Sequence, residues 1–208
     1  PVGVKQVLRH TMPGRAAGLL SFPGGNQCSG FLANCGACLL RMMERLAEYL
    51  SMYALAKVAI WGRNEAKNAD ALAALQAVAP QAMARQVDLA DRSQLQPALA
   101  AVEDELGPVS ILVNNAAIGI FGGVLDLSAE DWDRVIEIDL TACFLLAKYA
   151  AQAMTERQAG KIINLASTYS LSGSAFAPSY SAAKGGIMQL TKSLAIELAP
   201  HNIQVNAI

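Results

Sequence analysis

Residues 57–87, KVAIWGRNEAKNADALAALQAVAPQAMARQV, decide the fold. Val58-Ala59-Ile60-Trp61 is an apolar run of strand length, Glu65 to Val78 has the composition of an Ala-rich helix, and Ala84 to Val87 is a second short apolar run. A strand, a helix and a strand within about thirty residues make the crossover unit that parallel strands require. The same alternation continues outward. Ser93 to Leu106 predicts a helix stopped by Gly107-Pro108, and Ile111-Leu112-Val113 predicts the next strand. Ser128 caps a long helix with Asp131 three residues on, and Trp132, Val135, Ile136, Cys143, Leu146 and Ala150 form its inward stripe up to a stop at Gly160. Ile162 to Leu165 is a strand, a Ser-rich loop reaches Ser179, a helix runs to Ala199 with Pro200 as its stop, and Ile203 to Ala207 is the last strand. The fold class is therefore α/β, a doubly wound parallel sheet with helices on both faces, as one domain over residues 1–208.

Composition narrows the partners. The 208 residues are 53% hydrophobic and 16% charged, enough to bury a sizeable core and incompatible with a disordered chain. Sixteen Lys and Arg stand against seventeen Asp and Glu, which argues against an electrostatic hold on nucleic acid or anionic lipid and points to small molecules. Apolar runs stay below the eighteen or so residues of a bilayer span, so the expectation is a soluble, cytoplasmic protein without a membrane partner. Residues 1–56 differ from the rest, with three of the four Cys, four of the seven Met and only two acids, Glu44 and Glu48. Cys35 and Cys38 form a Cys-x-x-Cys step near Cys28, but no His or second Cys pair accompanies them. Free thiols in a reducing compartment are the favoured reading, and no metal site is expected.

Chemistry is expected where helix faces break the hydrophobic rule. Tyr180 and Lys184 are four apart, so a helix places them on one face that Ile187, Leu194 and Leu198 continue into the core. A neighbouring ammonium favours phenolate, which makes Tyr180 a candidate general acid and base; the alternative is a packed Tyr beside a snorkelling Lys. Asn114-Asn115-Ala116-Ala117 follows one strand, and Ser167 ends the next, thirteen residues before Tyr180. All these groups fall at the carboxyl edge of one parallel sheet, where ligands of open α/β folds bind.

With Gly160-Lys161-Ile162-Ile163-Asn164 ahead of Ser167 and Asn206-Ala207-Ile208 at the end, this constellation closely resembles the short-chain dehydrogenase/reductase family over residues 57–208. The resemblance implies a Rossmann-like fold and an NAD(P)-dependent oxidoreductase acting on a secondary alcohol or carbonyl, homo-tetrameric or dimeric at full length. It gives Ser167 the substrate oxygen, Tyr180 the proton, and Lys184 the nicotinamide ribose and the phenol's activation. Asn114 and Ala116 fall beside the adenosine end of the cofactor, Asp88 and Leu89 at the adenine, and Gly24, Asn26 and Gly30 in the phosphate loop. Asp139 stands where the family's long helix carries an Asn that helps hold a water near the Lys.

The sequence departs from the family at both ends. Pro23 to Gly30 keeps only part of the glycine loop, with Cys28 where a glycine is usual, so the first βα unit is aberrant, and the chain stops at Ile208 short of the family's substrate lid. Gly62 takes the place of an acid that would hold an adenosine ribose, and Arg63 follows it, which favours NADP(H) over NAD(H). The stretch 160–208 looks most like the sugar-acid branch, such as the gluconate 5-dehydrogenases and 2-deoxygluconate 3-dehydrogenases, followed by the 3-oxoacyl-carrier-protein reductases. A reading from another class is a catalytically dead remnant or binding module, suggested by the altered loop and missing lid.

Overall fold

The computed structural model of the chain describes residues 57–77 and 79–208. The readings placed on Gly24, Asn26, Gly30, Cys28, Cys35 and Cys38 lie outside the described residues. Within them the order is β1 (Ala59–Gly62), α1 (Glu65–Gln76), β2 (Met83–Gln86), α2 (Arg92–Leu106), β3 (Ile111–Asn114), α3 (Ala129–Ile136), a π turn (Glu137–Thr141), α4 (Ala142–Arg157), β4 (Gly160–Asn164), α5 (Pro178–Leu198) and β5 (Ile203–Ala207). Single 3₁₀ turns cover Thr168–Ser170 and Ala199–His201. Strand pairing is parallel throughout, and among the described residues it forms two groups, β1-β2 and β3-β4-β5. The register sets Asn114 beside Asn164 and Asn164 beside Ala207, so three strands end level at one carboxyl edge.

Side-chain alternation along β1 explains why helices cover both faces. Val58 and Ile60 pack with Leu72 and Leu75 of α1, whereas Trp61, pointing the other way, joins the apolar clusters built by α2 and α4. The larger cluster is shared by Ile162 of β4, Ile203 and Val205 of β5, Met154 of α4 and Leu194 and Leu198 of α5. Fully burying a side chain such as Met154 or Ile162 contributes roughly 1.5–3 kcal/mol, so this layer fixes the strands whose ends carry the site. Helix starts follow short polar side chains: Asn64 accepts the Lys67 N–H at 2.9 Å, Asp91 accepts the Ser93 N–H at 3.0 Å, and Ser128 accepts the Asp131 N–H at 3.0 Å. No described helix is long and apolar enough to cross a membrane.

Three sequence expectations are corrected. The helix starting at Ser128 is not uniform to Gly160, because the π turn interrupts it. A π turn adds a residue to the helical ladder, so a stripe projected at 3.6 residues per turn loses phase across it. Val135, Cys143, Leu146 and Ala150 are buried as expected, while Trp132 is 39% exposed. The stop also differs: α4 ends at Arg157 with Gln158 in the left-handed region (φ 54°), and Gly160 already opens β4. Gly160 is needed there for close approach, since a Cβ would lie 2.3 Å from Met154 Sδ. Finally, the Ser-rich loop contains the Thr168–Ser170 turn, and α5 starts at Pro178, a residue suited to a first helical position.

Candidate active site

The carboxyl edge of β4 leads straight into the site. Ser167 caps the 3₁₀ turn that follows: its Oγ accepts the Tyr169 N–H at 3.2 Å, and Ser170 Oγ accepts the Ser167 N–H at 3.0 Å. With one lone pair held by a backbone donor, the Ser167 hydroxyl keeps its own proton to donate. α5 presents Tyr180 and Lys184 one turn apart, but not equally. Lys184 is 3% exposed, its Nζ donates to the Leu165 carbonyl at 2.7 Å and lies 5.6 Å from the centre of the Tyr180 ring, and Tyr180 itself is half-buried. Tyr169 meets that ring edge-on, with centroids 6.2 Å apart and planes at 84°.

Asp139 sits in the π turn with no exposed surface. Its Oδ1 accepts the Ile118 N–H at 2.8 Å, which ties the loop after β3 to the helix, and its Oδ2 has no hydrogen-bond partner among the described residues. Burial pushes its carboxyl up to about 6, against the downward pull of the Ile118 N–H and the Lys184 charge. Burial likewise depresses Lys184, opposed by Asp139 and Cys143. Cys143 is pushed up to about 11 by the same desolvation, so its thiol stays protonated and inert at neutral pH.

The residues expected along the cofactor side sit at strand ends. Arg63 is exposed just past β1, with Gln86 Nε2 donating to its carbonyl at 3.0 Å. Asp88 lies just beyond β2, and its Oδ1 accepts the Ala90 N–H at 3.0 Å. Leu89 packs partly against the cluster of Val87, Leu95 and Leu146, and Ala116 is exposed in the loop after β3. Asn114 is buried, its Nδ2 donating to Asn164 Oδ1 at 2.9 Å and to the Cys143 carbonyl at 3.3 Å. Asn164 in turn donates to Thr191 Oγ1 at 2.9 Å, and Thr191 donates to the Ile187 carbonyl at 2.8 Å. Sequence reasoning missed Asn164, Thr191, Tyr169 and the backbone groups of Leu165 and Ile118. Asn164 carried a usable signal, since the two-residue strand period puts it on the same face as fully buried Ile162.

A buried lysine fixed by a carbonyl just past a strand end, a tyrosine one turn away and a serine three residues beyond that strand share one sheet edge. The model of the short chain dehydrogenase family matches residues 45–208. The chain belongs to the short-chain dehydrogenase family. It is 40% identical over 121 residues to the 2-dehydro-3-deoxy-D-gluconate 5-dehydrogenase of Formosa agariphila, covering 58% of this chain and 46% of that protein. It is 37% identical over 128 residues to the 5-keto-D-gluconate 5-reductase of Escherichia coli, covering 62% and 50% respectively. A solved structure from Agrobacterium tumefaciens, of a protein proposed to be a gluconate dehydrogenase, superposes with a TM-score of 0.72 at 34% identity, covering 79% of this chain and 65% of that one. This short-chain dehydrogenase sequence thus spans about half the length of the curated relatives it matches.

Proposed function

We propose that the protein is an NAD(P)-dependent oxidoreductase that interconverts a secondary alcohol and a carbonyl on a sugar acid, polyol or similar small substrate. The observation that carries this reading is the Lys184 ammonium, buried, held by the Leu165 carbonyl and 5.6 Å from the Tyr180 ring. Burying an ammonium is costly unless its charge is used or paired, and here it lies beside a half-buried phenol. The names of the relatives from Formosa agariphila and Escherichia coli support the sugar-acid assignment.

In alcohol oxidation Tyr180, as phenolate, takes the hydroxyl proton while Ser167 holds the same oxygen through a hydrogen bond. In reduction Tyr180 returns that proton to the oxygen. Lys184 favours the charged phenolate and, having donated one of its protons to Leu165, keeps others for a ribose hydroxyl. A nicotinamide cofactor, when bound, supplies the hydride acceptor or donor. Exposed Arg63 at the end of β1, Asp88 and Leu89 past β2, and Asn114 and Ala116 at the end of β3 would line its adenosine half. A cation at Arg63, with no acid at Gly62, favours NADP(H). The protein is read as a homo-oligomer, a tetramer or a dimer, acting in the cytoplasm.

Tyr180→Phe tests the reading. The variant should lose at least about a hundredfold in kcat, the range of a general acid–base group, while its quenching or enhancement of NADPH fluorescence keeps the parent's midpoint. Turnover within twofold of the parent, or no NADPH binding by either version, overturns it.

A further inference from the structure

We propose that Tyr169 is a positioning residue that holds both reacting hydroxyls, its backbone fixing Ser167 and its ring screening Tyr180 from water. This rests on the reading of Tyr180 as the proton-transfer group. Tyr169 touches the two residues in different ways. Its N–H donates to Ser167 Oγ at 3.2 Å, and its ring lies edge-to-face with Tyr180 at 6.2 Å. The capping box closes the geometry, because Ser170 Oγ takes the Ser167 N–H and leaves the turn no freedom to swing Tyr169 away without breaking both bonds. Perpendicular aromatic pairs at such spacing are attractive beyond their buried area, so the ring has a preferred seat.

The Tyr180 ring is therefore bracketed. Lys184 Nζ lies 5.6 Å from its centre, and the Tyr169 ring meets it at 84°. The value of the ammonium to the phenolate depends on the medium between them. Coulomb attraction at fixed distance weakens about fourfold as the effective dielectric rises from about 20, near a protein surface, to about 80 in water. Tyr180 is only half-buried with Tyr169 in place, so its phenolate is already partly hydrated and removing Tyr169 changes that hydration less than it changes this screening. Loss of the ring should thus raise the pH at which Tyr180 ionises. The Tyr169 hydroxyl plays no part in this screening.

The test reads Tyr180 directly, without needing turnover. The chain is labelled with ¹³Cζ-tyrosine, the Tyr180 resonance is assigned with Tyr180→Phe, and its titration is followed in the parent and in Tyr169→Phe, Tyr169→Leu and Tyr169→Ala. Tyr169→Phe should titrate with the parent. Tyr169→Ala should titrate at least about half a unit higher, and Tyr169→Leu, which fills part of the space, should move the same way by less; it also keeps the test decisive if the Ala variant does not fold. In turnover, Tyr169→Ala should lower kcat about tenfold with little change in the KM for cofactor, and should cost nothing further in a Tyr180→Phe background. An unmoved titration in the Leu and Ala variants, or a Phe variant shifted as far as Ala, overturns the proposal. A Tyr180→Phe variant with parental turnover instead overturns the underlying reading, whatever the titrations give.

Discussion

Asp139 is the residue whose chemistry the fold alters most. A carboxyl raised from 3.8 to about 6 binds its proton more tightly folded than unfolded, so it stabilises the native state fully below about pH 4 and loses that contribution as pH climbs through about 6. Asn in its place keeps an acceptor for the Ile118 N–H and has nothing to ionise. Between pH 4 and pH 8 the unfolding free energy of Asp139→Asn should therefore improve relative to the parent by up to about 3 kcal/mol, two pKa units at 1.36 kcal/mol each. Urea denaturation at both ends of that range measures it, and parallel pH dependences would refute it. The same substitution removes a negative charge that offsets Lys184, so the basic-side rise of alcohol oxidation should move to lower pH. The family resemblance singled out Asp139 in the sequence. Its bond to Ile118 could not be read, because that partner lies twenty-one residues away across a loop with no periodicity.

At the level of elements, the carboxyl edge is tied together by side-chain hydrogen bonds above the apolar layer that holds the strands. Asn114 on β3, Asn164 on β4 and Thr191 on α5 form one buried chain of hydrogen bonds that also reaches the Cys143 carbonyl of α4. Removing Asn164 leaves a donor of Asn114 and an acceptor of Thr191 without their partner in a site closed to water, at about 1–3 kcal/mol per orphaned group. Asn164→Ala should lower the urea-derived stability by about 2–4 kcal/mol, and Thr191→Val, which orphans one donor, by about half as much. Negligible losses would mean that the network is dispensable, and equal losses would refute the cost per orphaned group. All five strands, β1 to β5, were legible to within two residues, because apolar runs and their breakers are local signals. The π turn was not, since a one-residue change in helical ladder leaves the hydrophobic pattern on either side intact and alters only its phase. Tyr180 and Lys184 were legible as a pair, but their unequal burial follows from α5 packing on β4 and β5, which spacing within one helix does not encode.

The proposed dinucleotide would touch the ends of β1, β2 and β3 and the first turns of α5, parts of the molecule far apart in sequence, so its binding should appear as stability of the whole. A ligand at one hundred times its Kd adds about 2.7 kcal/mol, and a domain of this size gains about 2–4 °C in Tm per kcal/mol, which together give about 5–10 °C. At equal concentration NADP+ should raise Tm more than NAD+, because the Arg63 guanidinium can pair with a 2′-phosphate and gains little from a bare ribose. Arg63→Ala is the informative variant. An Asp placed at Gly62 would confound charge with sheet geometry, since a Cβ there would lie 2.3 Å from Asn68 Oδ1. Asn68 is not free to move, as its Nδ2 donates to the Gly62 carbonyl at 2.9 Å and the Arg85 carbonyl at 3.2 Å, bracing β1 against β2. Arg63 is exposed past the strand, and its removal leaves that brace intact. Thermal unfolding of parent and variant with each dinucleotide should show the NADP+ advantage in the parent and its disappearance in Arg63→Ala. An advantage that survives the substitution would move phosphate recognition to another residue, and a larger shift with NAD+ in the parent would reverse the cofactor assignment.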